Sequence, residues 1–130
     1  MIDQNVYNYT MTRILNLLNP MQLVRAFSNS LSGLAHAVKS ERAIQQEIVI
    51  LLIGGIAAFL LTDSSVELAI LIGSLCIVLI VEIINSAIEA AIDRIGPELH
   101  PLSKQAKDLG SAAVLLSLVT AAGLWLIILI

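Results

Sequence analysis

The segment Glu82-Ile-Ile-Asn-Ser-Ala-Ile-Glu89-Ala-Ala-Ile-Asp93-Arg94 places carboxylates, an amide and a hydroxyl at the end of a long apolar run. At about 100° per helical residue, Asn85, Ser86, Glu89 and Asp93 fall within an arc of roughly 100° around Glu82, while Ile83, Ile84, Ile88 and Ile92 lie largely off it. An ionisable side chain in a membrane-spanning helix costs roughly 2.5–3.5 kcal/mol on insertion scales, so it faces a protein interior or an aqueous cavity and has a function there. Charged groups from elsewhere meet this stripe at one membrane boundary: Glu41 before the first apolar run, and Lys107 and Asp108 before the last. Paired carboxylates can hold Mg²⁺, which takes oxygen ligands and shares its shell with water and phosphates. A lysine beside them can neutralise a phosphoryl group in transfer. Two chemistries fit these residues: phosphoryl transfer onto a membrane-borne acceptor, or movement of protons or cations along one polar helix face. No GxxxxGK loop followed by Ser or Thr occurs, and no GxGxxG after a strand, so nucleotide chemistry would need a different kind of site.

The elements that must position these groups follow from composition. The chain has 130 residues, 58% hydrophobic and 13% charged, too apolar for an ordinary soluble domain and too short for several. It reads as one all-α membrane domain over residues 1–130, with helices of about 20 apolar residues crossing the hydrocarbon core. The expected spans are about 44–61, 66–95 and 108–130. In the first, the purely apolar part Ile48 to Leu61 is short and Gly54-Gly55 weakens it. It begins too far along the chain, and is followed by too much membrane, to be a signal peptide. Ser103 is expected to cap a helix that runs into the third span, carrying Lys107 and Asp108 to its entrance. Gly96-Pro97 should end the second helix.

Before the first span, Asn19-Pro20 makes an N-cap and first-turn pair. After it Leu23, Val24, Phe27, Leu31, Leu34, Ala35 and Val38 recur at helical spacing, opposite Asn29, Ser32, His36 and Lys39. An amphipathic helix over about 20–40, lying in the membrane interface, is the expectation. The Lys and Arg residues sit either ahead of the first span (Arg13, Arg25, Lys39, Arg42) or around the 94–109 loop (Arg94, Lys104, Lys107). By the positive-inside rule the N-terminus and that loop are cytoplasmic, and the 62–66 turn and C-terminus face outward.

Three helices are thin cover for buried acids, so a homo-oligomer with sites between protomers is expected. Ser86, Ala87, Ala90 and Ala91 on the second span, and Ser111, Ala112, Ala113 and Ser117 on the third, permit close helix approach. Cys76, alone in an apolar run, reads as a packing residue. Asp93 reads as a structural partner of Arg94 or of another chain, Glu47 as structural or network-forming, and His36 as part of the polar helix face. Nothing in the charge pattern points to nucleic acid.

The run Glu82 to Arg94, with Glu98-Leu-His100 and Ala106-Lys107-Asp108-Leu-Gly110-Ser111-Ala-Ala, closely resembles the prokaryotic integral-membrane diacylglycerol kinase family. The resemblance covers about residues 33 to 130 and includes Glu41 and Gln46-Glu47. It implies a homotrimer, each protomer with an interfacial helix and three spans, that transfers phosphate from ATP with Mg²⁺ to a membrane lipid at the cytoplasmic face of a bacterial inner membrane. It also implies roles: Glu82 as general base on the lipid hydroxyl, Glu41 and Glu89 as metal ligands, and Asn85 orienting the site. Lys107 would contact the phosphates, Asp108 would bind nucleotide or brace that lysine, Glu98 and His100 would touch the nucleotide, and Ser111 would lie near the lipid.

The family has a sibling branch acting on undecaprenol. Asp93-Arg94-Ile-Gly96 and Gly110-Ser111 lean toward the diacylglycerol branch, and His100-Pro101-Leu102 toward the other. A small proton- or cation-coupled transporter remains the reading from a different class, and the apolar outer half of the chain speaks against it. The chain departs from the family pattern at Gln22 and Asn29, where an Arg and a Tyr that contact nucleotide are common. Arg25, one helical turn from Gln22, is a candidate substitute. The residues ahead of this helix have no assigned role.

Overall fold

The computed structural model of the chain describes residues 19–96, 98 and 100–130. Arg13 and the leading residues lie outside the described residues, as do Pro97 and Leu99, on which part of the expected helix break and of the Glu98–His100 segment falls. The described chain is helical, in the order α1 (Pro20–Ser40), α2 (Arg42–Leu61), α3 (Ser65–Ile95) and α4 (Pro101–Leu129). Contacts divide it into two units, Met1–His36 and Ala37–Ile130.

Helix α1 starts as its sequence dictates. Asn19 Oδ1 accepts the Met21 N–H at 3.0 Å, and Pro20 supplies a first-turn residue that needs no acceptor. Its apolar stripe of Leu23, Val24, Phe27, Leu31 and Leu34 is exposed, and the helix has no buried residue.

The second unit opens at a one-residue joint. Glu41 is extended at φ −102°, ψ 113°, which ends α1 and begins α2. Its N–H still donates to Ala37 O at 2.9 Å, and Gln45 Nε2 reaches back to Val38 O at 2.9 Å. Two terminal carbonyls of α1 are thereby satisfied, and Glu41 is fixed at the head of α2. Helix α2 continues unbroken through Gly54-Gly55. Gly54, a weak point of the span by itself, has a packing role: a side chain there would overlap Leu75 Cδ1 and stand 3.5 Å from the Trp125 ring. Gly54 thus lets residues of all three long helices meet.

Thr62 closes α2, with both its N–H and Oγ1 donating to Ala58 O, and Ser64 caps α3 by accepting the Glu67 N–H. Helix α3 is the central element and packs against α2 and α4. Its 31 residues end at Gly96, whose φ of 149° suits glycine and few other residues. Helix α4 begins earlier than the sequence predicts. His100, not Ser103, is its N-cap: His100 Nδ1 accepts the Leu102 N–H at 3.2 Å and Pro101 occupies the first turn. A cap followed by Pro outcompetes a Ser two residues further on, because proline's fixed φ already starts the helix.

Three helices, α2, α3 and α4, are long and apolar enough to cross a membrane. Few of their apolar residues are buried by their own chain: Ile44, Ala58, Leu71, Val78 and Ala121 form the core, and residues such as Phe59, Leu60, Leu116 and Ile127 are exposed. A surface of that kind needs lipid or another apolar partner around it.

Candidate active site

Helix α3 carries the polar stripe across the membrane boundary. Counting from Ser65 at about 1.5 Å per residue, Glu82 stands about 26 Å along the helix, Glu89 about 36 Å and Asp93 about 42 Å. Against a hydrocarbon core of about 30 Å, the stripe starts just inside one boundary and continues beyond it.

Among the described residues the buried polar ones are Ser74, Glu82 and Asn85, so two of the three belong to this stripe. Glu82 is 8% exposed and Asn85 7%. Asn85 Nδ2 donates to Glu89 Oε1, one turn on, at 3.3 Å, which orients that carboxylate. Glu82 lies within electrostatic reach of Glu89 on its own helix and of Glu41 at the head of α2, and Glu47 of α2 lies within reach of Glu82. Glu47 Oε2 and Asn85 Oδ1 are buried without a hydrogen-bond partner among the described residues. Glu47, which reads from the sequence as structural or network-forming, belongs to the carboxylate group. Like charges gathered in a poorly hydrated place are costly, and such arrangements concentrate at functional sites.

The second half of the site lies where α3, the 96–100 loop and the first turns of α4 meet. A cavity of about 730 Å³ there is lined by Asp93, Glu98, His100, Lys104, Lys107 and Asp108, among others. That size suits a small organic ligand. Lys107 Nζ donates to Asp93 Oδ1 at 2.5 Å and also lies within reach of the Glu89 charge, so it links the cavity to the carboxylates. The sequence reading had paired Asp93 with Arg94 or another chain; the observed partner is Lys107, and only the α3–α4 hairpin could bring the two together. Asp108 does not brace Lys107. It pairs with Lys104, one turn before it on α4. Ser111 is exposed on α4 and does not line the cavity.

Among the described residues no three His, Cys, Asp or Glu side chains close on one point. The donor set nevertheless suits Mg²⁺, a hard cation held by one or two carboxylates that completes its shell with water and substrate phosphates. Glu41 and Glu89, both part-exposed and within reach of Glu82, are carboxylates of that kind.

A three-span helical membrane protein with an acidic cluster and a lysine-lined cavity at one boundary has the form of an enzyme that acts at a membrane surface. The sequence pattern of prokaryotic diacylglycerol kinase matches residues 28–129, and the chain belongs to that family. It is 44% identical over 108 residues to a diacylglycerol kinase of Escherichia coli (strain K12), covering 83% of this chain and 88% of the relative. It is 41% identical over 109 residues to one of Pseudomonas aeruginosa, covering 84% and 89%. With one of Haemophilus influenzae the identity is 38% over 103 residues, covering 79% and 87%.

Proposed function

We propose that this protein is an ATP-dependent lipid kinase that converts diacylglycerol to phosphatidic acid in a bacterial inner membrane. Membership of the family and relatives named for diacylglycerol favour that acceptor over undecaprenol, and an enzyme over a transporter. The observation that carries the chemistry is the adjacency of the buried Glu82 and Asn85 and the part-exposed Glu89 to a cavity lined by Lys107.

In this reading Glu82 takes the proton from the lipid hydroxyl as its oxygen attacks the γ-phosphorus of ATP. The new O–P bond forms, the bond from the γ-phosphorus to the β–γ bridging oxygen breaks, and ADP leaves with that electron pair. Asn85 holds Glu89 in place; Glu89 and Glu41 would hold Mg²⁺, which would supply charge neutralisation at the phosphate oxygens. Lys107, on leaving Asp93, neutralises the transferring group. Glu98, His100 and Asp108 line the cavity where the nucleotide sits. Ser111, just past Gly110, lies toward the lipid.

The same reading gives the assembly and its orientation. The exposed apolar helix surfaces and the part-exposed Glu41, Glu47 and Glu89 would be covered by neighbouring copies in a homotrimer. The apolar stripe of α1 lies in the interface, and the basic residues keep the N-terminus and the 96–100 loop cytoplasmic. The test gives purified protein Mg·ATP with either diacylglycerol or undecaprenol in mixed micelles. Efficient turnover of diacylglycerol is expected; turnover of undecaprenol alone, or of neither, would reject the assignment.

A further inference from the structure

The geometry points to Gly110 as a positioning residue: its bare Cα lets α4 close onto Asn85 and so fixes where that amide holds the Glu89 carboxylate. Gly110 is buried. A methyl built on it would overlap Asn85 Oδ1 and stand 3.4 Å from Asn85 Cγ and 4.0 Å from its Cα. At Gly33, Gly55, Gly73 and Gly123 the same methyl would meet nothing within 4 Å. Glycine is disfavoured inside a helix relative to alanine, and at Gly110 the close approach accounts for it.

The amide is held from both ends. Its Oδ1 is buried against the Gly110 backbone with no conventional donor among the described residues, where a Cα–H contact is what the approach offers. Its Nδ2 donates to Glu89 Oε1. The Asn85 side chain has two torsions, so displacing Oδ1 necessarily swings Nδ2 as well. Alanine at 110 would thus move the Glu89 carboxylate without touching it. This role rests on the lipid-kinase reading, in which Glu89 holds the metal.

A double-mutant cycle tests it, with Gly110→Ala made in the wild-type and Asn85→Ala chains and Gly123→Ala as the control on the same helix. Misplacement of a reacting group by about 1 Å costs up to ~100-fold, so Gly110→Ala should lower kcat by about 10- to 100-fold and raise the Mg²⁺ midpoint. On the Asn85→Ala background, where no amide remains to displace, it should change kcat by less than about twofold. Thermal unfolding gives a readout independent of activity. Gly110→Ala should unfold at a lower temperature than Gly123→Ala, and Asn85→Ala should relieve the difference.

Wild-type protein inactive on diacylglycerol would reject the kinase reading and leave the unfolding cycle to judge the contact. Active wild type with an equally active Gly110→Ala, or equal losses in both backgrounds, would overturn the positioning role. Should Gly110→Ala fail to fold, recovery of folding in the double variant supports the contact, and failure of both overturns it.

Discussion

Glu82→Gln should separate chemistry from stability more cleanly than any other substitution in this chain. The amide is nearly isosteric with the carboxylate and cannot accept the proton of the lipid hydroxyl. General-base catalysis is worth about 10²–10⁴-fold. At about 1.36 kcal/mol per decade, that is roughly 3–5 kcal/mol of barrier. Stability should move the other way or not at all. Glu82 is 8% exposed and lies among Glu41, Glu47 and Glu89, so its charge is desolvated and repelled in the fold, and a neutral side chain relieves both costs. The assay couples ADP release to a spectroscopic signal in mixed micelles at saturating ATP and diacylglycerol. Calorimetry of ATP binding and thermal unfolding by circular dichroism are run on the same preparation. The expected result is turnover below about a hundredth of wild type, with ATP affinity kept and the unfolding temperature equal or higher. Retention of more than about a tenth of the rate would place the base elsewhere, and loss of ATP affinity in step with turnover would make Glu82 a binding group.

Glu41→Gln and Glu89→Gln should each raise the Mg²⁺ concentration for half-maximal rate and be partly rescued by excess metal, since a cation held by few carboxylates loses much affinity with each one; unchanged midpoints in both would refute the ligand assignment. Lys107→Met keeps the apolar stem and removes the cation, so kcat should fall with topology intact, whereas wild-type kinetics with altered insertion would make Lys107 a membrane anchor. Its pair with Asp93 is solvent-screened, so the same variant should leave the thermal unfolding temperature essentially unchanged. Scrambling Glu82→Gln and Glu41→Gln chains in one oligomer tests whether a site draws both acids from one chain, as their reach within the fold implies: recovery should stay near zero, and recovery of about a quarter of native activity, with mixed oligomers verified by differential tags, would show that neighbours complete each site.

What the sequence disclosed depended on whether a relation ran along one helix or between two. Glu82, Asn85 and Glu89 are joined by helical period alone, and the structure keeps them on one stripe, the first two buried and the third part-exposed, with the Asn85 amide bonded to Glu89. The spans were legible because each must supply its own run of apolar residues. Relations across helices were not legible. Asp93 and Lys107 lie on opposite sides of a helix break, and nothing local distinguishes Lys107 from Arg94 as a partner. Asp108 similarly had two lysines within reach on α4, and Lys104 at i−4 took it. Glu47 reads as structural or network-forming, and which group it joins is set by α3. Gly54 reads as a weak point of its span and Gly110 only as part of a motif, since what a missing side chain makes room for is visible only when the facing helix is in place.

Helix α3 runs as one unbroken rod of 31 residues, about 46 Å, through the hydrocarbon and out past it. Under the proposed function its polar stripe therefore waits at the depth where a lipid carries its hydroxyl. Lifting two acyl chains into water costs on the order of 20 kcal/mol at ~0.8 kcal/mol per CH₂. No such extraction is required of this protein. The acceptor arrives by sliding sideways within its own leaflet, while the phosphate donor comes from bulk water. Rate should then follow the mole fraction of acceptor in the membrane plane and be indifferent to how much membrane is suspended per millilitre, so this catalyst meets one reactant in two dimensions and the other in three.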